Sequence, residues 1–357
     1  QISIDIGQIM FGQTVTASGD TMRQYAQSDL ANPRKWVGAD IEAMADWTLA
    51  LLDAVAVQRL PEGWALEVLV ADGCSDDGTR DRLDERARAD VRLVVVDNPR
   101  RIVSSGLNAC LARARGEVIA RLDVHTSYAE DYLAQCLAAL ERTRADNVGG
   151  PWIARGQTPV QRAIAAAFQS RWVVGGARSR DAAYEGEAET VYLGCWPRAT
   201  FERFGAFDET LVRNQDDEHN LRIVRGGGRV WQSASIRSLY HPRATVAQLF
   251  AQQRQYGYWR PFVLRKLGAP ASWRQLAPAA LVVALVTTIA LLPWAGPTAL
   301  AALAGAYLLY LLAVSAAIAG RDGAALLPLL PIVIGAYHLG YGLGTWQGVA
   351  DLLRGRA

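Results

Sequence analysis

The sequence predicts an α/β domain on a mostly parallel sheet, followed by C-terminal transmembrane helices. Two observations carry the first part and one the second. Short apolar runs ending in polar residues alternate with helix-patterned stretches, one unit every 25 to 35 residues. Acidic residues cluster just past the ends of these runs, where ligands bind in open α/β sheets. Hydrophobic residues make up 51% of the 357 positions, and their excess lies after residue 275.

Residues 1–46 form an atypical N-terminal segment, in which ISIDIG (2–7) reads as a strand and the rest lacks a sustained period. From Ile41 to Leu60 apolar residues recur at helical spacing (Met44, Trp47, Leu51, Val55), and PEG at 61–63 ends the helix. LEVLVAD (66–72) is a buried strand, and an Arg/Asp-rich helix leads from it to a second strand, VRLVVVD (91–97). Ser105–Arg115 is helical, Gly116 stops it, and EVIARLDV (117–124) is the third strand. Residues 47–265 are assigned to this domain. Residues 266–357 form a membrane region with two to three hydrophobic helices, at about 277–293, 298–319 and 325–346. The middle segment carries no charge over 22 residues, enough to cross about 30 Å of hydrocarbon. A buried helical hairpin of a soluble protein is the alternative.

Arg254, Arg260, Arg265, Lys266 and Arg274 precede the first apolar segment, which points the α/β domain toward the cytoplasm in a multi-pass inner-membrane protein. Two spans with a re-entrant third segment would keep Arg354 and Arg356 on that side as well. The net charge of +2 gives no reason to expect a nucleic-acid partner. Cys74, Cys110, Cys136 and Cys195 form no CxxC pair, so reduced thiols fit better than a zinc site or a disulfide framework. No basic segment followed by an apolar core occurs in residues 1–22, so no signal peptide is read there.

Three motifs carry chemistry. DGCSDDGT (72–79) follows a strand, and its acids, hydroxyls and glycines suit a polar ligand; an ordinary Asx turn opening a helix reads equally well. RLDVHT (121–126) puts Asp123 and His125 two apart. In an extended stretch both would face one Mn²⁺ or Mg²⁺ bridging a diphosphate. RNQDDEHNLR (213–222) brings acids to a helix N-terminus, where the dipole favours them and one carboxylate could serve as general base.

Together these residues resemble the inverting glycosyltransferases of family two, with the GT-A fold. DGCSDDGT is similar to that family's strand-end DDGSxDGT motif. NPRRIVSSGLNACLARARGEVIARLDVH (98–125) resembles its helix-and-metal-motif run, with Asp123-Val124-His125 where Asp-x-Asp is usual. YLGCWPRATFERFGAFDETLVRNQDDEHNLRIVRGGGRVW (192–231) is similar to its acceptor-side segment, most of all in succinoglycan-type exopolysaccharide enzymes. The resemblance implies a mixed, mostly parallel sheet and Asp216, with Asp217 beside it, as catalytic carboxylates. It implies Asp72, Ser75, Asp77, Arg101, Asn108, Arg121 and Asp123 at the nucleotide-sugar, and Gly194, Cys195 and Trp196 at the sugars. The metal, Mn²⁺ or Mg²⁺, falls to Asp123 and His125.

The implied reaction moves a sugar from a UDP-sugar, UDP-glucose above all, to a lipid-linked saccharide. Membrane lipids and polysaccharide-assembly proteins are the further partners implied. A polyprenyl-phosphate sugar transferase and a catalytically silent membrane subunit are the alternatives. QRQYGYWR (253–260) lacks the full Gln-x-x-Arg-Trp pattern of processive synthases, which favours transfer of single sugars. The family's opening strand, ending in Pro and a Tyr-Asn-Glu-like turn, is missing from residues 1–46; ISIDIGQIMFG is the candidate substitute.

Overall fold

The structure, a computed structural model, describes residues 2–9, 41–268 and 273–355, with side chains described from residue 46 onward except at 273. The expectations for residues 10–40 and Arg356 lie outside the described residues. The chain divides into two compact units, Gln1–Ile153 with Arg178–His241 and Ala154–Ala177 with Pro242–Ala357.

The elements begin with β1 (Ile2–Ile9), α1 (Ile41–Ala56), β2 (Leu66–Asp72), α2 (Thr79–Ala89), β3 (Leu93–Asp97) and α3 (Val103–Arg113). Next come β4 (Val118–Leu122), β5 (Thr126–Tyr128), α4 (Tyr132–Thr143), β6 (Asn147–Gly150), β7 (Ile153–Ala154), α5 (Pro159–Phe168) and α6 (Arg171–Val174). They continue with β8 (Gly186–Glu187), β9 (Tyr192–Pro197), α7 (Arg198–Phe204), α8 (Gln215–Arg225), β10 (Val230–Gln232) and β11 (Ser238–Tyr240). The remaining helices are α9 (Val246–Leu267), α10 (Ala277–Ala290), α11 (Leu292–Ala295), α12 (Thr298–Asp322) and α13 (Leu330–Leu353).

The first unit is built on an eight-stranded sheet of order β3-β2-β1-β4-β9-β6-β10-β8. Strand β1 runs parallel to both neighbours, pairing Ile4 with Val68 on one side and Ala120 on the other. ISIDIGQI is therefore a strand, as expected, and lies between β2 and β4. The sheet is mixed because β9 runs antiparallel to both β4 and β6. Side chains alternate across it, as a pleated strand requires. Val68, Val70, Ala120, Leu122 and Cys195 join the core beneath α1 and α4. Leu69, Ala71, Ile119 and Trp196 join the other, with Leu107, Phe201, Phe207 and Ile223. All seven residues of β2 are buried, which explains the apolar run from Val68 to Ala71; the buried Glu67 is paired with Arg115 at 3.0 Å.

The second unit is helical. Helices α9 and α13 approach to backbone contact: a Cβ at Gly344 would lie 1.9 Å from the Arg254 carbonyl oxygen, and one at Gly257 2.0 Å from that of Tyr341. Small residues four apart on α13 (Gly340, Gly344, Gly348) permit this approach. Polar bonds reinforce it, from Arg254 to Gln347 Oε1 at 2.8 Å, Tyr258 Oη to Asp351 at 3.1 Å and Arg260 Nε to Tyr341 Oη at 3.0 Å. Val286, Ile289, Trp294, Leu308 and Leu309 are exposed on α10–α12. Among the described residues one helix, Thr298–Asp322, is long and apolar enough to cross a membrane. Two or three had been expected.

Candidate active site

The register sets the geography of the site. Ile6 of β1 pairs with Val70 on one side and Leu122 on the other. Asp72 and Asp123 therefore emerge at the same carboxyl edge, two strand spacings or roughly 10 Å apart. This is the edge at which open α/β sheets bind ligands. Because β9 is antiparallel and pairs Cys195 with Ala120, its first residue, Tyr192, arrives at that edge too.

Around Asp123 the chain turns instead of running extended. The Thr126 N–H donates to the Asp123 carbonyl at 3.2 Å, and the His125 N–H donates to Asp123 Oδ1 at 2.9 Å. This corrects the extended geometry expected for 123–125: a tight turn, not strand alternation, brings the two residues together. The Tyr128 hydroxyl clamps the turn, accepting from the Asp123 N–H at 2.6 Å and donating to its carbonyl at 3.1 Å. Burial first, and then the Asp123 charge, raise the Tyr128 pKa well above that of an ordinary phenol, so it remains a hydroxyl. The Tyr192 hydroxyl meets Thr126 Oγ1 at 2.5 Å. The His125 ring packs edge-on against Trp47, with centroids 5.0 Å apart.

Helix α8 supplies the second set of carboxylates, with Asp216, Asp217 and Glu218 in its first turn. Arg121, buried in β4 two residues before Asp123, reaches Asp216 Oδ2 with Nη1 at 3.2 Å. One guanidinium thus joins the strand that leads to Asp123 to the acidic helix. Asp216 Oδ1 accepts the Asp217 N–H at 2.9 Å. Glu218 is fully buried and paired with Arg222 at 2.8 Å; Arg222 in turn bonds the Ala206 carbonyl at 2.9 Å. It is a structural acid.

Other expected residues serve the framework. Asp72 is 2% exposed, takes Ser75 Oγ at 2.6 Å and lies 3.7 Å from Arg80. Ser75 is thereby committed to the loop as well. Asp77 Oδ1 accepts the Thr79 N–H at 3.0 Å; Oδ2, shielded from solvent, has no hydrogen-bond partner among the described residues. The Asn108 amide bonds the Phe207 carbonyl and Glu209 Oε1, both at 2.8 Å, and accepts the Phe207 N–H at 3.0 Å. It pins the loop ahead of α8. Arg101 sits in a left-handed turn at φ 56°, its N–H bonded to the Asn98 carbonyl at 3.0 Å. Cys195 and Trp196 are each 1% exposed, and each lies inside one of the two cores. Gly194, at φ 122°, has no room for a Cβ, which would lie 2.3 Å from the Trp196 ring.

Sequence reasoning missed Tyr128, whose hydroxyl closes the Asp123 turn.

The fold and site together define an α/β domain with acids at the sheet's carboxyl edge and at a helix N-terminus. Residues 42–203 match the family described as Glycosyl transferase family 2. Succinoglycan biosynthesis protein ExoA of Rhizobium meliloti (strain 1021) is 30% identical over 290 residues, covering 80% of this chain and 87% of that protein. The dolichyl N-acetyl-alpha-D-glucosaminyl phosphate 3-beta-D-2,3-diacetamido-2,3-dideoxy-beta-D-glucuronosyltransferase of Methanococcus voltae is 24% identical over 208 residues, covering 56% of this chain and 64% of that one. Among solved structures, the mannosyltransferase PcManGT from Pyrobaculum calidifontis, in complex with GDP-Man and Mn²⁺, shares the fold. Its TM-score is 0.57 at 20% identity, covering 85% of this chain and 84% of that one. The chain belongs to glycosyl transferase family 2.

Proposed function

We propose that this glycosyltransferase is a metal-dependent, inverting enzyme that moves glucose from UDP-glucose to a lipid-linked saccharide during exopolysaccharide or cell-surface glycan assembly. The observation that carries the reading is the Asp123–Arg121–Asp216 constellation, which couples a diphosphate-side acid to a candidate base. The names of two relatives support the reading: succinoglycan biosynthesis supports the pathway class, and the dolichyl-linked phosphosugar supports the acceptor class. The exposed apolar residues of α10–α12 and the length of Thr298–Asp322 support anchoring in the inner membrane, with the α/β unit facing the cytoplasm.

Asp123 and His125 are the residues that would hold Mn²⁺ or Mg²⁺. Among the described residues no three His, Cys, Asp or Glu side chains converge as a metal-binding group. A two-residue protein set fits an ion that takes its other ligands from substrate phosphates and water. The turn uses Asp123 Oδ1 in an N–H bond, and Asp123 remains half-buried at the sheet edge. When bound, the ion would neutralise charge developing on the leaving diphosphate. Asp216, a third exposed, would accept the proton of the acceptor hydroxyl as that oxygen attacks the anomeric carbon from the face opposite UDP. Arg121 fixes the carboxylate so that little reorganisation is required.

The test is calorimetric titration of UDP, with and without Mn²⁺, alongside turnover of UDP-glucose. Asp123→Ala should abolish the metal-dependent part of binding. Asp216→Asn should lower turnover by about two to four orders of magnitude and leave UDP affinity within about twofold. Turnover persisting in Asp216→Asn would remove it as the base. Absence of both UDP binding and turnover in the well-folded natural chain would favour the silent-subunit alternative.

A further inference from the structure

Beneath the acidic pair lies a hydrogen-bonded array that neither the motifs nor the proposed reaction uses. The Cys195 N–H donates to Asn147 Oδ1 at 3.0 Å, and Asn147 Nδ2 donates to Asn220 Oδ1 at 2.7 Å. Asn220 Nδ2 donates to Thr190 Oγ1 at 2.9 Å, and the Thr190 hydroxyl donates to Asp217 Oδ1 at 3.1 Å. Every donor points the same way, so the dipoles add and end on one carboxylate. Asn147 and Asn220 are both 0% exposed. Burying two primary amides is unfavourable unless they are bonded, and here each is bonded on both its oxygen and its nitrogen. Gly194 belongs to the same device. A Cβ there would lie 2.9 Å from Asn147 Oδ1, so the glycine leaves room for the amide that starts the chain.

We infer that Asn147, Asn220 and Thr190 form a positioning array that splits the roles of the neighbouring acids. Asp217 is the anchored member, and its own N–H passes the constraint to Asp216 Oδ1 at 2.9 Å. Asp216, steadied by that bond and by Arg121, is the member that meets the acceptor. The inference rests on the proposed role of Asp216 and deepens it: one carboxylate of the pair reacts, and the other orients it.

Thr190→Val removes the hydroxyl at nearly constant volume, and Thr190→Ser restores it. In the UDP-glucose assay, Thr190→Val should lower kcat by about tenfold with donor KM and UDP affinity within about twofold, and Thr190→Ser should recover most of kcat. A merely structural role would not produce that split or that rescue. Amide hydrogen exchange across 213–222 is a second readout, needing no substrate. Exchange over 215–221 should rise in Thr190→Val and stay near the natural level in Thr190→Ser. The array is overturned if Thr190→Val keeps full kcat, if Thr190→Ser loses as much as Thr190→Val, or if exchange is unchanged. Asp216→Asn separates the two ideas: an active Asp216→Asn defeats the base assignment. An inactive Asp216→Asn with a fully active Thr190→Val defeats only the array.

Discussion

At the residue scale the decisive contact is between Arg121 and Asp216. The guanidinium is largely buried and the carboxylate a third exposed, so the bond chiefly holds Asp216 in one orientation. Arg121→Met is therefore expected to lower kcat at least about tenfold while UDP affinity changes less than about twofold, both measured in detergent solution. A large loss of UDP affinity instead would return Arg121 to the phosphate, as its place beside Asp123 first suggested. Which of these an arginine does cannot be read from RLDVHT. The partner lies 95 positions further along the chain, and only the packing of α8 against the sheet brings it within 3.2 Å. The framework bonds of Asn108 and the burial of Cys195 and Trp196 are likewise invisible in the motifs that contain them.

Elements impose their own tests. Helices α9 and α13 touch backbone to backbone at Gly344, so Gly344→Ala forces them apart and should destabilise the helical unit by about 1–3 kcal/mol. Gly305→Ala, on α12 with nothing within 4 Å, is the matched control and should leave the melting temperature unchanged or slightly raised. In the sheet unit, Glu185 gathers the Trp231 indole at 3.1 Å, the Ser233 hydroxyl at 3.0 Å, the Ala234 N–H at 2.9 Å and Arg142 at 2.6 Å. Burial alone would raise its pKa; the indole, the N–H, the hydroxyl and the guanidinium outweigh that and lower it. Its folded-state pKa is depressed, so its contribution is fully present above the ordinary glutamate value near 4.5 and is lost as pH falls through the lowered one. Glu185→Gln should thus melt below the natural chain at neutral pH, with the gap closing as the buffer is taken down through that window.

For the molecule as a whole, strand β1 is the critical piece. It lies between β2 and β4 and carries ladder bonds on both edges, so every element at the carboxyl edge depends on it for spacing. Ile4→Pro removes an N–H and adds a ring in the middle of that ladder. The expected result is a sheet unit without a cooperative thermal transition, followed by circular dichroism. A melting curve like that of the natural chain would displace Ile2–Ile9 from the centre of the sheet.

Much of this protein follows from local pattern. The apolar runs, their acidic ends and the helical spacing mark β2, β3, β4, α3 and α8 to within a few residues, because burial on two faces and the helical period leave direct traces in composition. The acids at the sheet edge and the order of the motifs were legible for the same reason, and they identify the family. What local pattern could not decide was which polar groups meet. Tyr128 closing the Asp123 turn, Arg121 turning to Asp216, and the chain from Cys195 through Asn147, Asn220 and Thr190 to Asp217 all join residues from separate elements. A hydrogen bond is set by distance and direction in space, and the chain acquires those only when the sheet has closed around β1 and α8 has settled against it.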